Sequence, residues 1–161
     1  MRALLLVFIL VVSLGAVYPA QGGTPYLSEE ELKAEVKRGV EEILDLWRDG
    51  KYGELYERTV TDGKQTKERF GKSLAAAPLR PVCCWEKMQE VKISLKGDSV
   101  AKVQARLGFE GGGTTEFKTR GLKLVKEEGV WRMNQNDILS LADASKKKKV
   151  RKKRHGHAME E

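Results

Sequence analysis

Histidine is nearly missing from this chain, and its placement decides what chemistry the body can host. Of 161 residues only His155 and His157 are histidines, both within the last seven positions. The body therefore has no imidazole, which excludes Ser-His and Cys-His nucleophilic chemistry and histidine metal sites from it. Cysteine is almost as scarce. Cys83 and Cys84 are the only two, too few for a zinc site or a disulfide framework, so a single domain must stand on its apolar core, for which the length suffices. No apolar run reaches the roughly 20 residues that a membrane-spanning helix needs. The longest, Ala3 to Val12, follows a lone Arg2 at the N-terminus.

That run, with the smaller residues after it, has the profile of a signal peptide over residues 1–22. Ala20-Gln21-Gly22 offers the small-x-small site, so the mature chain is expected to begin at Gly23. Export to the periplasm or the exterior follows, with an uncleaved segment serving instead as an N-terminal anchor. No cysteine follows the run, which argues against a lipid-anchored lipoprotein.

The formal net charge of +7 suggests a nucleic-acid binder until it is apportioned. Residues 146–161 hold eight bases against two acids, whereas residues 23–145 hold 21 of each. The tail, KKKKVRKKRHGHAMEE, has no periodic apolar face and is expected to be a disordered basic segment. Lys146, Lys147, Lys148, Lys149, Arg151, Lys152, Lys153 and Arg154 are its candidate polyanion-binding residues. Such a run meets anionic lipid, acidic polysaccharide or nucleic acid by releasing counterions. A nuclear-localisation signal would look the same, so an intracellular N-terminus would make this a nucleic-acid-associated protein.

Within the body, three helices precede the strands. Ser28 and Glu31 form a capping box, and Leu32, Val36, Val40, Ile43, Leu44 and Trp47 recur at helical spacing until Gly50. Tyr52 to Val60 reads as a short second helix. Thr66 to Ala77 reads as a third, with Phe70 and Leu74 inward and Pro78 and Pro81 closing it. The period then changes to two. Val91, Ile93 and Leu95 form one strand and Ala101, Val103, Ala105, Leu107 and Phe109 the next, joined at Gly97-Asp98. Gly111-Gly112-Gly113 reads as a flexible connection, and Gly121 as a bulge between the Phe117 and Leu122 phases.

The stretch TTEFKTRGLKLVKEEGVWRM, residues 114–133, organises the rest. With Glu128-Gly129 as its turn, Leu124 faces Met133 and Lys126 faces Trp131. Leu122, Leu124, Trp131 and Met133 then share the packed side, opposite Lys123, Val125, Arg132 and Asn134 on the wet one. Trp47, Trp85 and Trp131 are all expected in the core. If Cys83 and Cys84 begin a strand they point to opposite faces and do not bond to each other. One is then buried, and the other is an exposed thiol through which a homodimer can form.

Three helices followed by about four antiparallel strands is an α+β arrangement. The capped helix ending in LWRDGKYGELY, the phrase VKISLKGDSVAKVQARL and the closing LKLVKEEGVWRM resemble the nuclear transport factor 2-like superfamily, with its SnoaL-like and ketosteroid-isomerase-like members. The resemblance implies a cone: three N-terminal helices packed on a bent antiparallel sheet over residues 23–145, with a cavity for a small apolar ligand. Family isomerases and dehydratases use a cavity carboxylate with Tyr as an oxyanion donor; by that resemblance Asp62 falls near the carboxylate's place in chain order, and Tyr52 or Tyr56 could point into the cone. TDGK around Asp62 is turn chemistry by itself. The expectation is therefore a non-catalytic binding or scaffold domain, with no cofactor and no metal. Glu86, Glu90 and Glu116 are the other carboxylates that would revive an enzyme if they faced such a cavity.

Overall fold

The computed structural model describes residues 27–61, 63 and 65–143. The readings for the signal segment 1–22, for Asp62 and for the tail 146–161 lie outside the described residues.

Helix α1, Glu29–Arg48, starts on the capping box: the Ser28 hydroxyl accepts from the Glu31 amide and the Glu31 carboxylate accepts from the Ser28 amide. It ends where Gly50 takes a φ of +72°. Leu32, Val36, Val40, Ile43, Leu44 and Trp47 are buried along one stripe. Two shorter helices follow, α2 at Tyr52–Glu57 and α3 at Lys67–Ala75, the latter capped by Thr66 and burying Phe70 and Leu74. Between them Thr59–Val60 forms a two-residue strand, β1.

The remaining strands are β2, Arg80–Pro81; β3, Met88–Lys96; β4, Val100–Gly111; β5, Thr114–Glu127; and β6, Val130–Asn134. Helix α4, Gln135–Leu141, closes the described chain. The sheet runs β1-β6-β5-β4, with β2 and β3 both paired to the outer edge of β4. It has six strands rather than about four, and a fourth helix. The two extra strands are two residues long, too short to show a period, and β1 pairs in parallel with a segment about 75 positions away in sequence.

The β5–β6 hairpin has the register its sequence implies: Leu124 faces Met133 and Lys126 faces Trp131. Leu122, Leu124, Trp131 and Met133 are buried beneath α1 together with Ala101, Val103, Ala105, Leu107 and Phe109 from β4. Trp47 and Phe109 meet with ring centroids 5.6 Å apart.

Expectations for the strands are corrected at three points. Gly111-Gly112-Gly113 is no flexible connection but part of a tight turn: Gly111 pairs with Thr114, and Gly112 and Gly113 both have positive φ, +60° and +82°. Two consecutive positive φ values suit the twist of a two-residue hairpin and favour glycine. Gly121 is no bulge either, because β4 and β5 stay in one register from end to end. Phe117 needs no phase change, since it faces outward while Leu122 faces inward. The bulge lies in β3 between Gln89 and Lys92, with Glu90 at φ +51°, and it lets both Met88 and Val91 turn toward the core.

Further corrections concern the segment before β3. Cys83 and Cys84 do not begin a strand; Cys84–Lys87 is a 3-10 turn, with Cys84 at φ +65°. Both cysteines are exposed and they are bonded to each other, so the alternation that separates neighbours on a strand does not apply. No free thiol remains for a disulfide-linked homodimer. Trp85 is 74% exposed, unlike Trp47 at 0% and Trp131 at 4%.

Candidate anion-binding face of the sheet

The zero net charge of the body hides a separation. Residues 29–57, mostly α1 and α2, carry ten acids against five bases, while residues 88–127, the β3–β5 segment, carry eight bases against five acids. Alternation along each strand sends the apolar half of that segment inward and most of the basic half outward.

Register then assembles the cations. Lys96, Val100 and Val125 form one cross-strand row on the outer face; Ser94, Lys102 and Lys123 form the next; Lys92, Gln104 and Gly121 form the third. No carboxylate occurs in the three rows. Neighbouring strands lie about 4.8 Å apart, so Lys102 and Lys123, directly opposite one another, are like charges held side by side. Such a pair costs the fold a few tenths of a kcal/mol to about 1 kcal/mol relative to a neutral one.

Gly121 opens the surface at the third row. A Cβ built there would meet nothing within 4 Å, and the gap is part of a depression of about 390 Å3 lined by Lys92, Ser94, Lys102, Gln104, Thr119 and Arg120. Its rim carries ammonium, hydroxyl and amide donors. Among the described residues Lys92, Lys96, Lys102 and Lys123 have no ion-pair partner. Several cations elsewhere are matched: Lys87 reaches Asp45 at 2.6 Å, Lys126 reaches Glu35 at 2.6 Å, Lys118 lies 3.1 Å from Asp143, and Arg58 pairs with Glu42.

The next row is Gln89, Arg106 and Thr119, and the row after it sets Phe117 opposite Gly108. Arg106 stands 4.3 Å over the Phe117 ring and 3.7 Å from the Glu90 carboxylate. Beyond it the 3-10 turn lies across Gly108, where a Cβ would fall 2.5 Å from the Glu86 carbonyl oxygen, 2.7 Å from Val82 and 3.1 Å from Phe117. Glycine is what allows the turn to seat there.

On the opposite side of the charge separation, Glu42, Asp45, Asp49, Glu54 and Glu57 line a groove of about 470 Å3 with Leu46, Lys51 and Arg58. The candidate carboxylates of an enzyme are not brought together. Glu90 and Glu116 lie in solvent, Glu86 is half-buried on the 3-10 turn, and Asp62 lies outside the described residues. Tyr52 and Tyr56 pack against the core, and the Tyr56 hydroxyl donates to the Gln65 carbonyl at 3.2 Å. Among the described residues no group of His, Cys, Asp or Glu is arranged to hold a metal ion.

The eight tail cations, Lys146 to Arg154, lie outside the described residues; the basic sheet face is a site that reading the chain linearly missed. Lys102 and Lys123 were each legible as outward-facing. Their meeting required the β4–β5 register, which the Gly112-Gly113 turn sets and which a flexible triglycine leaves free.

No protein-family model matches the chain, and no curated protein matches its sequence. Among solved structures, that of Aln2 from a Streptomyces species, at 1.8 Å, is similar over 72% of this chain and 98% of that one, with 15% identity and a TM-score of 0.48.

Proposed function

We propose that this protein is a non-catalytic binding module for polyanions, meeting its partner with the outer face of β3–β5 and with the basic tail 146–161. The observation that carries the reading is the Lys102–Lys123 pair, flanked by Lys92 and Lys96, with no carboxylate in the rows and a depression beside the pair lined in part by Lys92, Lys102 and Gln104. Like charges opposed across strands work against folding, and a bound anion reverses their sign of contribution. Near an anionic surface each such lysine is worth about 1 kcal/mol.

The same reading takes the fold as nuclear transport factor 2-like, supported by a long capped helix lying on the packed side of a largely antiparallel sheet. It takes the chain as exported, supported by the N-terminal sequence. It does not rest on a cavity ligand, because Trp47, Phe70, Leu107, Phe109, Leu124 and Met133 pack together as fully buried side chains of one core.

A salt titration of the full-length chain on duplex DNA, used as a generic polyanion, tests the sheet face. Lys92→Gln/Lys102→Gln/Lys123→Gln is expected to weaken binding and lower the log–log salt slope by about 2 to 3. Neutralising the eight tail cations in the full chain is expected to lower it further. An unchanged slope in the sheet variant would leave the tail as the whole of the site and remove the body from the reading.

A further inference from the structure

We infer that the partner of the basic face is an anionic lipid bilayer, with Trp85 entering the headgroup region beside the lysines; this rests on the polyanion-binding reading above. Among the described residues the large exposed apolar side chains are Trp85 and Phe117; Phe117 lies past one end of the lysine rows, opposite the Gly108 on which the Trp85 turn rests. The 3-10 turn carrying Trp85 is seated on Gly108, whose missing side chain would point outward on the same face as Lys102 and Gln104. The turn that carries the exposed Trp85 therefore lies on the lysine side of the sheet.

Several fastenings hold Trp85 out. The Val82 amide donates to the Gly108 carbonyl at 3.1 Å, Lys87 bonds Asp45 at 2.6 Å, and the Cys83–Cys84 bond closes the chain just before it. A large aromatic kept in water on an anchored turn, while the other two tryptophans are buried, is a side chain presented for contact. Tryptophan suits a bilayer surface because its apolar body enters the acyl boundary while its N–H stays with the headgroups. A disulfide has no thiol proton to donate and adds to the apolar edge. The acidic α1–α2 segment would be repelled by the same membrane, which fixes the orientation.

Single-stranded nucleic acid is the competing partner, and it would use a succession of aromatic faces along its track. Among the described residues of this face only Trp85 stands free, since the guanidinium of Arg106 covers the Phe117 ring. Among the described residues no helix is long and apolar enough to cross a membrane, so the contact is peripheral.

Tryptophan emission gives the test, because Trp47 and Trp131 are buried and a change on binding reports Trp85. Vesicles of phosphatidylglycerol and phosphatidylcholine, added to the full-length chain, are expected to shift emission to shorter wavelength and protect it from acrylamide. Pure phosphatidylcholine is expected to do neither. Trp85→Ala should lose both signals and bind the anionic vesicles about tenfold more weakly, as loss of roughly 60 Å2 of buried apolar contact would produce. Circular dichroism and a melt confirm that the variant is folded. If Trp85 stays fully quenchable on vesicles to which the protein is bound, or if Trp85→Ala binds like the parent, insertion is wrong, while the lysine triple variant still judges the basic face. If a single-stranded oligonucleotide alters Trp85 emission and anionic vesicles do not, the partner is nucleic acid and the inference is overturned.

Discussion

The two faces of the sheet are built by the same strands and have opposite requirements. On the inner face of β4, Ala101, Val103, Ala105, Leu107 and Phe109 are fully buried in the core that α1 shares, with Phe109 against Trp47. The outer side of the same strand carries Lys102, Gln104 and Arg106, with Lys102 placed against Lys123 at some cost. One face is chosen by packing and the other tolerates repulsion. A residue kept where it weakens the fold points to a constraint other than folding.

The largest effect that would break this comparison is at the inner face. Trp131→Ala is expected to destabilise by about 3 to 5 kcal/mol, because the emptied volume lies between α1 and β6 and cannot fully collapse. Lys123→Ala on the opposite side of β5 is expected to change stability by no more than about 0.5 kcal/mol. Equal losses in urea melts would mean that the two faces do not divide the labour as described.

Gly39→Ala should come next. A Cβ at that position in α1 would sit 2.9 Å from the Trp131 Cβ, so helix and strand must part, at a cost of about 1 to 3 kcal/mol against the gain that alanine brings to most helix interiors. A thermal melt in which Gly39→Ala stabilises the chain would show that α1 has room above β6.

A smaller, pH-dependent effect sits at the rim of the inner face. The hydrogen bond from Lys126 holds the Glu35 carboxyl below the ordinary carboxylate range, against the opposing effect of burial. The unfolded chain therefore binds the proton more readily, and this contribution to stability is present above the unfolded value and lost as pH falls through the folded one. Lys126→Met should accordingly narrow its stability deficit as the pH is lowered through the carboxylate range. A deficit of constant size from neutral to acid pH would separate Lys126 from Glu35.

The smallest effect, and the one that sharpens the contrast most, is Lys102→Glu. It converts a like pair into an opposite one and should leave the melting temperature unchanged or slightly raised, while anion binding falls. Weakened folding together with unchanged binding would make Lys102 a structural residue.

Much of the inner face was legible because burial imposes a period. The stripe from Leu32 to Trp47, the alternation from Ala101 to Phe109 and the Leu124–Met133 register can each be read over short distances, where sequence spacing and spatial neighbourhood coincide. Where Phe117 and Gly121 were read as a phase change, the error came from taking any large apolar residue as inward; Phe117 is covered by Arg106 instead.

What the sequence determined by itself was therefore the α+β class, the limits of α1 set by its capping box and Gly50, and the packed side of the last hairpin, because each depends on neighbours in the chain; the second helix, read to Val60, ends at Glu57, where Thr59–Val60 leaves to pair with β6. Tertiary structure alone decided the rest. It paired β1 with β6 across a long separation, placed the bulge at Glu90, and took Cys83, Cys84 and Trp85 out of the strand onto a turn above Gly108. It also gathered Lys92, Lys96, Lys102 and Lys123 from three strands onto one face. A solvated lysine leaves no periodic signal beyond being polar, so which lysines meet is settled only when the strands that carry them are in register.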